Sequence, residues 1–337
     1  MTARYDFASD NTAGAMPDVM DALTRCNGGA AAGYGDDAVC AAAADLIRAR
    51  LDVDAEVWFV ASGTAANALS LAALAAPHEA VAAHEHSHVA TDETGAPGFF
   101  GAGLGIFGLP GASGRIDPAA LADLLARPEE PHWQSPAALS LTQSTEFGAI
   151  YPLVDLVALT TLAKDRGLKI HLDGARLANA AAGGFELQSL AGLGVDVLVM
   201  GGTKAGSTPT EAVVLIDKTL SRRFGARLKH GGQLISKARF LAAPWIGMLD
   251  DDAWTRRAAH AGAMARRLAA AMPFAVSHPV EANAVFVTMD EPTLRRLRAA
   301  GWFVYRFVDG SVRFMCSWAT TAEDVDELVH DLRRLAG

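Results

Sequence analysis

Two residues in this chain could bring an acid and an amine to one crevice, Asp173 and Lys204, and each closes a short apolar run. The first run reads Leu168-Lys169-Ile170-His171-Leu172-Asp173-Gly174-Ala175-Arg176. The second reads Val195-Asp196-Val197-Leu198-Val199-Met200-Gly201-Gly202-Thr203-Lys204. In an open α/β sheet the carboxyl ends of the strands face the ligand crevice. Two strands would then bring an acid, an arginine and a lysine to one place. That trio is what pyridoxal phosphate chemistry needs: a lysine to form a Schiff base and an acid to meet the pyridine nitrogen. The rest of the chain must supply a phosphate cradle, a group to stack on the ring and a site for a substrate carboxylate.

A phosphate cradle is legible at Val57-Trp58-Phe59-Val60-Ala61-Ser62-Gly63-Thr64, followed by a helical pattern over residues 65–75. A strand, a tight turn and a helix start aim backbone N–H groups and the helix dipole at an anion. An ordinary turn with Ser62 or Thr64 as N-cap explains the same residues, and the two readings are compatible. For the carboxylate, Arg313 stands in the alternating run Val312-Arg313-Phe314-Met315-Cys316, on the face opposite Val312 and Phe314. It reads either as a solvent-facing arginine or as a carboxylate clamp.

Two motifs point elsewhere. His84-Glu85-His86-Ser87-His88 matches the H-E-x-x-H of zinc hydrolases, which requires both histidines on one helix. Here an apolar run, Ala80 to Ala83, precedes it and Gly95, Pro97 and Gly98 follow, so a strand running into a loop fits better and no metal is expected. Gly103-Leu104-Gly105-Ile106-Phe107-Gly108 matches G-x-G-x-x-G but is flanked by Pro and Gly on both sides, without the strand before and helix after that a dinucleotide site needs. Asp250-Asp251-Asp252 resembles a metal ligand set and reads better as the cap of a helix over 253–272, where acids suit the positive end.

These residues are carried by alternating strand and helix patterns over 55–215, which predict parallel strands with helical crossovers. Pro17 marks a helix start, and helices are predicted over 18–25, 38–50, 118–126 and 153–166. From about residue 273 the order becomes strand, helix, strand, strand, helix, with strands at 285–289, 303–307 and 312–318. The predicted organisation is an N-terminal arm and large domain, 1–245, and a small C-terminal α+β domain, 246–337.

The 337 residues carry a formal net charge of −9, which argues against a broad nucleic-acid or anionic-membrane surface. No run has the apolar length of a membrane span, and the first residues lack the features of a signal peptide. Cys26, Cys40 and Cys316 are odd in number and form no C-x-x-C pair, so a reducing, cytoplasmic compartment is the plain reading.

Ser9-Asp10-Asn11-Thr12, Tyr34-Gly35-Asp36-Asp37, Ser62-Gly63-Thr64-Ala65-Ala66-Asn67, His171-Leu172-Asp173-Gly174-Ala175-Arg176-Leu177 and Gly201-Gly202-Thr203-Lys204 occur in this order. In these motifs the chain resembles the L-threonine aldolases of the aromatic amino acid β-eliminating lyase superfamily, most closely their bacterial low-specificity branch. The resemblance implies the aspartate-aminotransferase-like fold (pyridoxal phosphate fold type I), with a mostly parallel central sheet flanked by helices. It implies a carbon–carbon lyase that cleaves L-threonine, L-allo-threonine and related L-β-hydroxy-α-amino acids reversibly to glycine and an aldehyde. It also implies a homodimer or homotetramer with active sites shared between subunits.

Carried over by position, Lys204 would bind the cofactor covalently and Asp173 would hold the pyridine N–H. Ser62, Gly63 and Thr64 would hold the phosphate, with Lys229 reaching it or that of the adjoining subunit. His88 would stack on the ring, since Glu93 keeps the family's His-to-Glu spacing. Ser9, Arg176, Arg313 and Tyr34 would bind substrate. The sequence departs from the family at Gln143-Ser144-Thr145-Glu146, where many members carry a second active-site histidine. The candidates for the base at the β-hydroxyl are therefore His88, or a water it holds, with Glu146 behind. A second departure is Ser207-Thr208-Pro209-Thr210 in place of a Gly-rich loop after Lys204. The rival readings are β-elimination or transamination on the same fold, and a zinc hydrolase built on His84, Glu85 and His88.

Overall fold

The computed structural model describes residues 3–336. Glu56–Val60 (β1), Glu79–His84 (β2), Gly105–Leu109 (β3), Ser135–Thr142 (β4), Lys169–Gly174 (β5), Val197–Gly201 (β6) and Glu211–Leu215 (β7) form one sheet in the order β1-β7-β6-β5-β4-β2-β3. From β6 to β3 every neighbouring pair is parallel. β7 is the exception and runs antiparallel to both β6 and β1. The sheet is mostly parallel, as expected, and the reading of 55–215 as parallel strands fails only at β7. Residues 202–210 are too few for a helical crossover, which takes a dozen or more, so the chain can only turn back on itself.

The central strands are buried on both faces, which is why they read as continuous apolar runs. On one side Ile170, Leu172, Leu198 and Met200 pack with Trp245 and Trp254. On the other, Val197, Val199 and Val213 pack with Leu71, Phe224 and Leu228. The helix Gly63–Leu74 lies over β5, β6 and β7 and is buried along most of its length. It thereby holds its N-terminus above the carboxyl end of the sheet.

A second sheet, Ala284–Val287 (β8), Tyr305–Arg306 (β9) and Val312–Met315 (β10), is antiparallel in the order β8-β10-β9. β9 is shorter than the predicted run at 303–307. Val285, Val312 and Phe314 of this sheet form a separate core with Leu294, Leu328 and Leu332, and Phe7 of the N-terminal arm enters it. The helix Ala253–Ala271 serves both cores, the large one through Trp254 and Ala258 and the small one through Ala265 and Leu268. Its start departs from expectation. Asp252 has φ 49, in the left-handed region, and makes no side-chain cap. Its carboxylate lies 3.1 Å from Arg50 instead.

Candidate active site

Asp173 leaves the carboxyl end of β5 fully committed. Its Oδ1 accepts the Ala175 N–H at 2.9 Å, and its Oδ2 accepts the Asn67 amide at 2.9 Å. The same Asn67 nitrogen donates to Glu93 Oε1 at 2.8 Å. That oxygen also meets His88 Nδ1 at 2.8 Å. Four side chains from three elements and a loop thus form one buried line, His88–Glu93–Asn67–Asp173. The hydrogen bond to Glu93 raises the His88 pKa against the opposing effect of burial. Burial in turn raises that of Glu93.

Lys204 sits in the turn after β6, on the strand adjacent to Asp173's. The turn is closely packed. A Cβ on Gly201 would lie 2.3 Å from the Ala175 carbonyl oxygen, and one on Gly202 would lie 2.6 Å from that of Thr210. Glu211, the first residue of β7, accepts the Gly202 N–H at 2.8 Å. The positive charge of Lys204 lowers the pKa of Asp10, His88 and Glu211 alike.

The two arginines differ. Arg176 is buried, and its Nε and Nη2 donate to Asp10 at 2.7 and 3.0 Å. Its remaining nitrogen, Nη1, faces Glu146 Oε2 at 3.8 Å. Asn283 adds a third donor to Asp10 at 3.2 Å. Burial alone would raise the Asp10 carboxyl, but the Arg176 guanidinium holds it at about 2. Arg313 is half-buried: Nη2 reaches the Ala8 carbonyl at 3.4 Å, and the guanidinium lies over Phe307. Its Nε is buried without a partner. Burial and the neighbouring charge of Arg176 lower its pKa. Two guanidinium groups close enough to repel, one with an unpartnered buried donor, have the chemistry that suits a carboxylate.

Ser62 caps the helix Gly63–Leu74 by accepting the Ala65 N–H at 3.3 Å. A Cβ on Gly63 would meet nothing within 4 Å, so the helix N-terminus opens onto free space. Gln233 fixes the approach by accepting the Ala61 N–H at 3.0 Å. Ser9 accepts the Asn11 N–H at 3.2 Å and leads directly into Asp10. Tyr34 and Lys229 stand together, the lysine 4.9 Å from the tyrosine ring centre. Tyr34 is 48% exposed, and no hydrogen bond among the described residues links this pair to Lys204 or the arginines.

The zinc reading finds no geometry here. His84 ends β2, with Nε2 on the Gly111 carbonyl at 3.1 Å, while His88 starts a separate helical turn and faces Glu93. Among the described residues no cluster of His, Cys, Asp or Glu is set to hold a metal. The G-x-G-x-x-G stretch leads into β3, and no helix follows it directly. Asp10, Asn67, Gln233, Asn283 and Glu211 escape sequence reasoning. Asp10 was within reach as the neighbour of Ser9. The others act only through folding contacts and carry no local pattern.

Residues 6–292 match the family described as beta-eliminating lyase. A low specificity L-threonine aldolase of Pseudomonas aeruginosa is 44% identical to the chain over 338 residues, with 98% of each protein covered. The solved structure of a threonine aldolase of Leishmania major is similar with a TM-score of 0.93 at 29% identity, covering 99% of this chain and 100% of that one. An alanine–glyoxylate aminotransferase of Nostoc sp. shares the fold with a TM-score of 0.72 at 18% identity, covering 100% and 96%.

Proposed function

The chain belongs to the beta-eliminating lyase family, and from that premise we propose that it cleaves L-threonine, L-allo-threonine and related L-β-hydroxy-α-amino acids to glycine and an aldehyde, with pyridoxal 5′-phosphate as cofactor. It has the fold of the pyridoxal-phosphate enzymes of fold type I, and it is a lyase of the threonine aldolase kind. The observation that carries the proposal is the placement of Asp173 and Lys204 at the ends of adjacent strands, with Arg176 three residues past Asp173 and Arg313 carrying an unpartnered buried Nε.

The residues present fit the cofactor. The open helix N-terminus at Ser62, Gly63 and Thr64 suits its phosphate, Asp173 its ring nitrogen, His88 its ring face and Lys204 its aldehyde carbon. When bound, such a cofactor draws off the electron pair left at the substrate α-carbon. The chain's own residues do the rest. Asp173, held by Asn67 and the Ala175 N–H, keeps its charge directed at the ring nitrogen. Arg313 and Nη1 of Arg176, which has only Glu146 at 3.8 Å beside it, grip the substrate carboxylate and so decide which bond at the α-carbon stands upright to be broken. Glu93 takes the His88 Nδ1 hydrogen, which leaves Nε2 as the acceptor for the proton of the β-hydroxyl, directly or through water. Glu146, beside Arg176, is the second carboxylate available there. Positioned proton transfer of this kind contributes ~10²–10⁴-fold.

The exposed pair Tyr34 and Lys229 supports a homo-oligomer, dimer or tetramer, in which these groups serve the site of an adjoining subunit. No helix among the described residues is long and apolar enough to cross a membrane. The three cysteines are buried and unpaired, which supports a cytoplasmic location.

The deciding experiment incubates the purified protein and pyridoxal phosphate with L-threonine, L-allo-threonine and L-phenylserine. Glycine and the matching aldehyde are expected. Pyruvate or a 2-oxo acid with ammonia would instead identify an elimination, and failure to take up the cofactor would end the proposal.

A further inference from the structure

Glu211 is a carboxylic acid shut inside the molecule, and the reaction as described gives it no task. It opens β7, the strand that stands between β1, which leads to the Ser62 turn, and β6, which leads to Lys204. Opposite it on β1 is Val60, which leads into the Ser62-Gly63-Thr64 turn. Opposite it on β6 is Gly201, which leads into Lys204. Its Oε2 accepts the Gly202 N–H at 2.8 Å, two residues before Lys204.

The lysine turn is clamped on every side. The Thr203 N–H donates to the Thr210 carbonyl at 3.1 Å. The Thr210 hydroxyl takes the Trp245 indole N–H at 3.1 Å, and the Gly201 carbonyl takes that of Trp254 at 3.3 Å. Every clamp but one is neutral. A valine or glutamine at 211 could fill space or accept the Gly202 hydrogen without burying an acid. A buried acid is costly unless its charge is used.

We propose that Glu211 is a positioning residue for Lys204 that works through its charge, the ionised carboxylate beneath the turn favouring the protonated form of the lysine nitrogen. The Lys204 charge favours the ionised form of Glu211 and the Asp173 charge opposes it, while its partners in register, Val60 on β1 and Gly201 on β6, carry no charge. Burial pushes its carboxyl up to about 7, with the Lys204 charge and the Gly202 and Thr203 hydrogen bonds opposing. Ionisation therefore falls near neutral pH. With pyridoxal phosphate held at Lys204, a negative charge beneath the turn would favour the protonated form of that nitrogen, the form that an electrophilic cofactor carbon needs. When Lys204 is released, the same charge keeps it as an ammonium ion and slows its return. This role rests on the reading of Lys204 as the cofactor-binding lysine.

The test measures acylation of Lys204 in the cofactor-free protein between pH 6 and 9, followed by peptide mass mapping, in wild type and Glu211→Gln. Gln keeps an acceptor for the Gly202 N–H and loses only the charge. Above the Glu211 midpoint the variant should label Lys204 faster, by about tenfold for a nearby charge removed. Near pH 6, where wild-type Glu211 is neutral, the two profiles should converge. Equal rates at every pH would overturn the proposal. Should the variant fail to fold, the wild-type profile still decides. Its rise with pH should be shallower than a single ionisation allows while Glu211 gains charge, and a simple one-group curve would refute the role. Because no cofactor is used, this result is independent of cofactor uptake. Uptake, and its loss in Lys204→Ala, judges the functional reading separately.

Discussion

Asp10 occupies two of the three nitrogens of Arg176, at 2.7 and 3.0 Å, so the guanidinium offers the substrate only Nη1. Arg176 is thus held as a rigid wedge, and Arg313, with its unpartnered Nε, is the better candidate for the main carboxylate grip. Asp10→Ala should leave a buried guanidinium uncompensated. The expected loss is ~3–5 kcal/mol of stability by urea titration, and KM for L-threonine should rise in whatever protein remains folded. Arg313→Lys should raise KM more than it lowers kcat, because a lysine cannot reproduce the planar fork.

The same pair sets an acid limit. The Asp10 carboxyl is held at about 2, below its ordinary 3.8. A depressed folded value means the pair's contribution is complete above the ordinary value and is lost as pH falls through the folded one. Unfolding free energy should therefore decline between about pH 4 and pH 2 from this source, and Asp10→Asn should flatten that part of the curve. An unchanged slope in the variant would remove Asp10 from the account.

His88 should titrate on the acidic limb of kcat/KM, at a pH above that of an ordinary histidine, because Glu93 favours its charged form. Glu93→Gln removes that support, so the limb should move to lower pH. His88→Ala should cost ~10²–10⁴-fold in kcat/KM. A limb that stays in place in Glu93→Gln would assign it to another group, with Glu146 next to be tested.

Asn67 lets two buried carboxylates share one donor nitrogen. Asn67→Ala leaves Glu93 with His88 alone and Asp173 with only the Ala175 N–H. Each lost buried hydrogen bond costs about 1–3 kcal/mol. The variant should bind pyridoxal phosphate more weakly, read by dialysis against graded cofactor. Unchanged cofactor affinity would show that Asp173 needs no such support.

Gly202→Ala should be damaging although the change is one methyl group. The new Cβ would lie 2.6 Å from the Thr210 carbonyl and 3.0 Å from the Trp245 ring. Overpacking of this kind costs ~1–3 kcal/mol, and here it would also displace Lys204. Thermal melting and cofactor uptake should fall together.

Much of this was legible in the sequence, for physical reasons that also explain the gaps. β5 and β6 are buried on both faces, so their apolar runs announce themselves, and the polar residues that end them stand out. The turn at Ser62-Gly63-Thr64 is local and obeys helix-start rules. Asp10 was harder, since its partner is 166 residues away in the chain. β7 was assigned the wrong direction because periodicity shows that a strand exists and not which way it runs; the length of the connection carried that information. Asp252 looked like a cap by residue type, but a left-handed backbone and Arg50 took it out of capping geometry.

The return of the chain from β6 into β7 also orders events in time. Gly202 and Glu211 are joined across nine positions of sequence, whereas Arg176 and Asp10 are joined across 166. Closing a short loop costs less entropy than closing a long one, and local contacts form sooner. The lysine's frame therefore belongs to an early-folding hairpin. The arginine's frame waits until the N-terminal arm has crossed the molecule. On refolding from denaturant, the short-range frame around Lys204 is therefore expected to form before the long-range frame around Arg176.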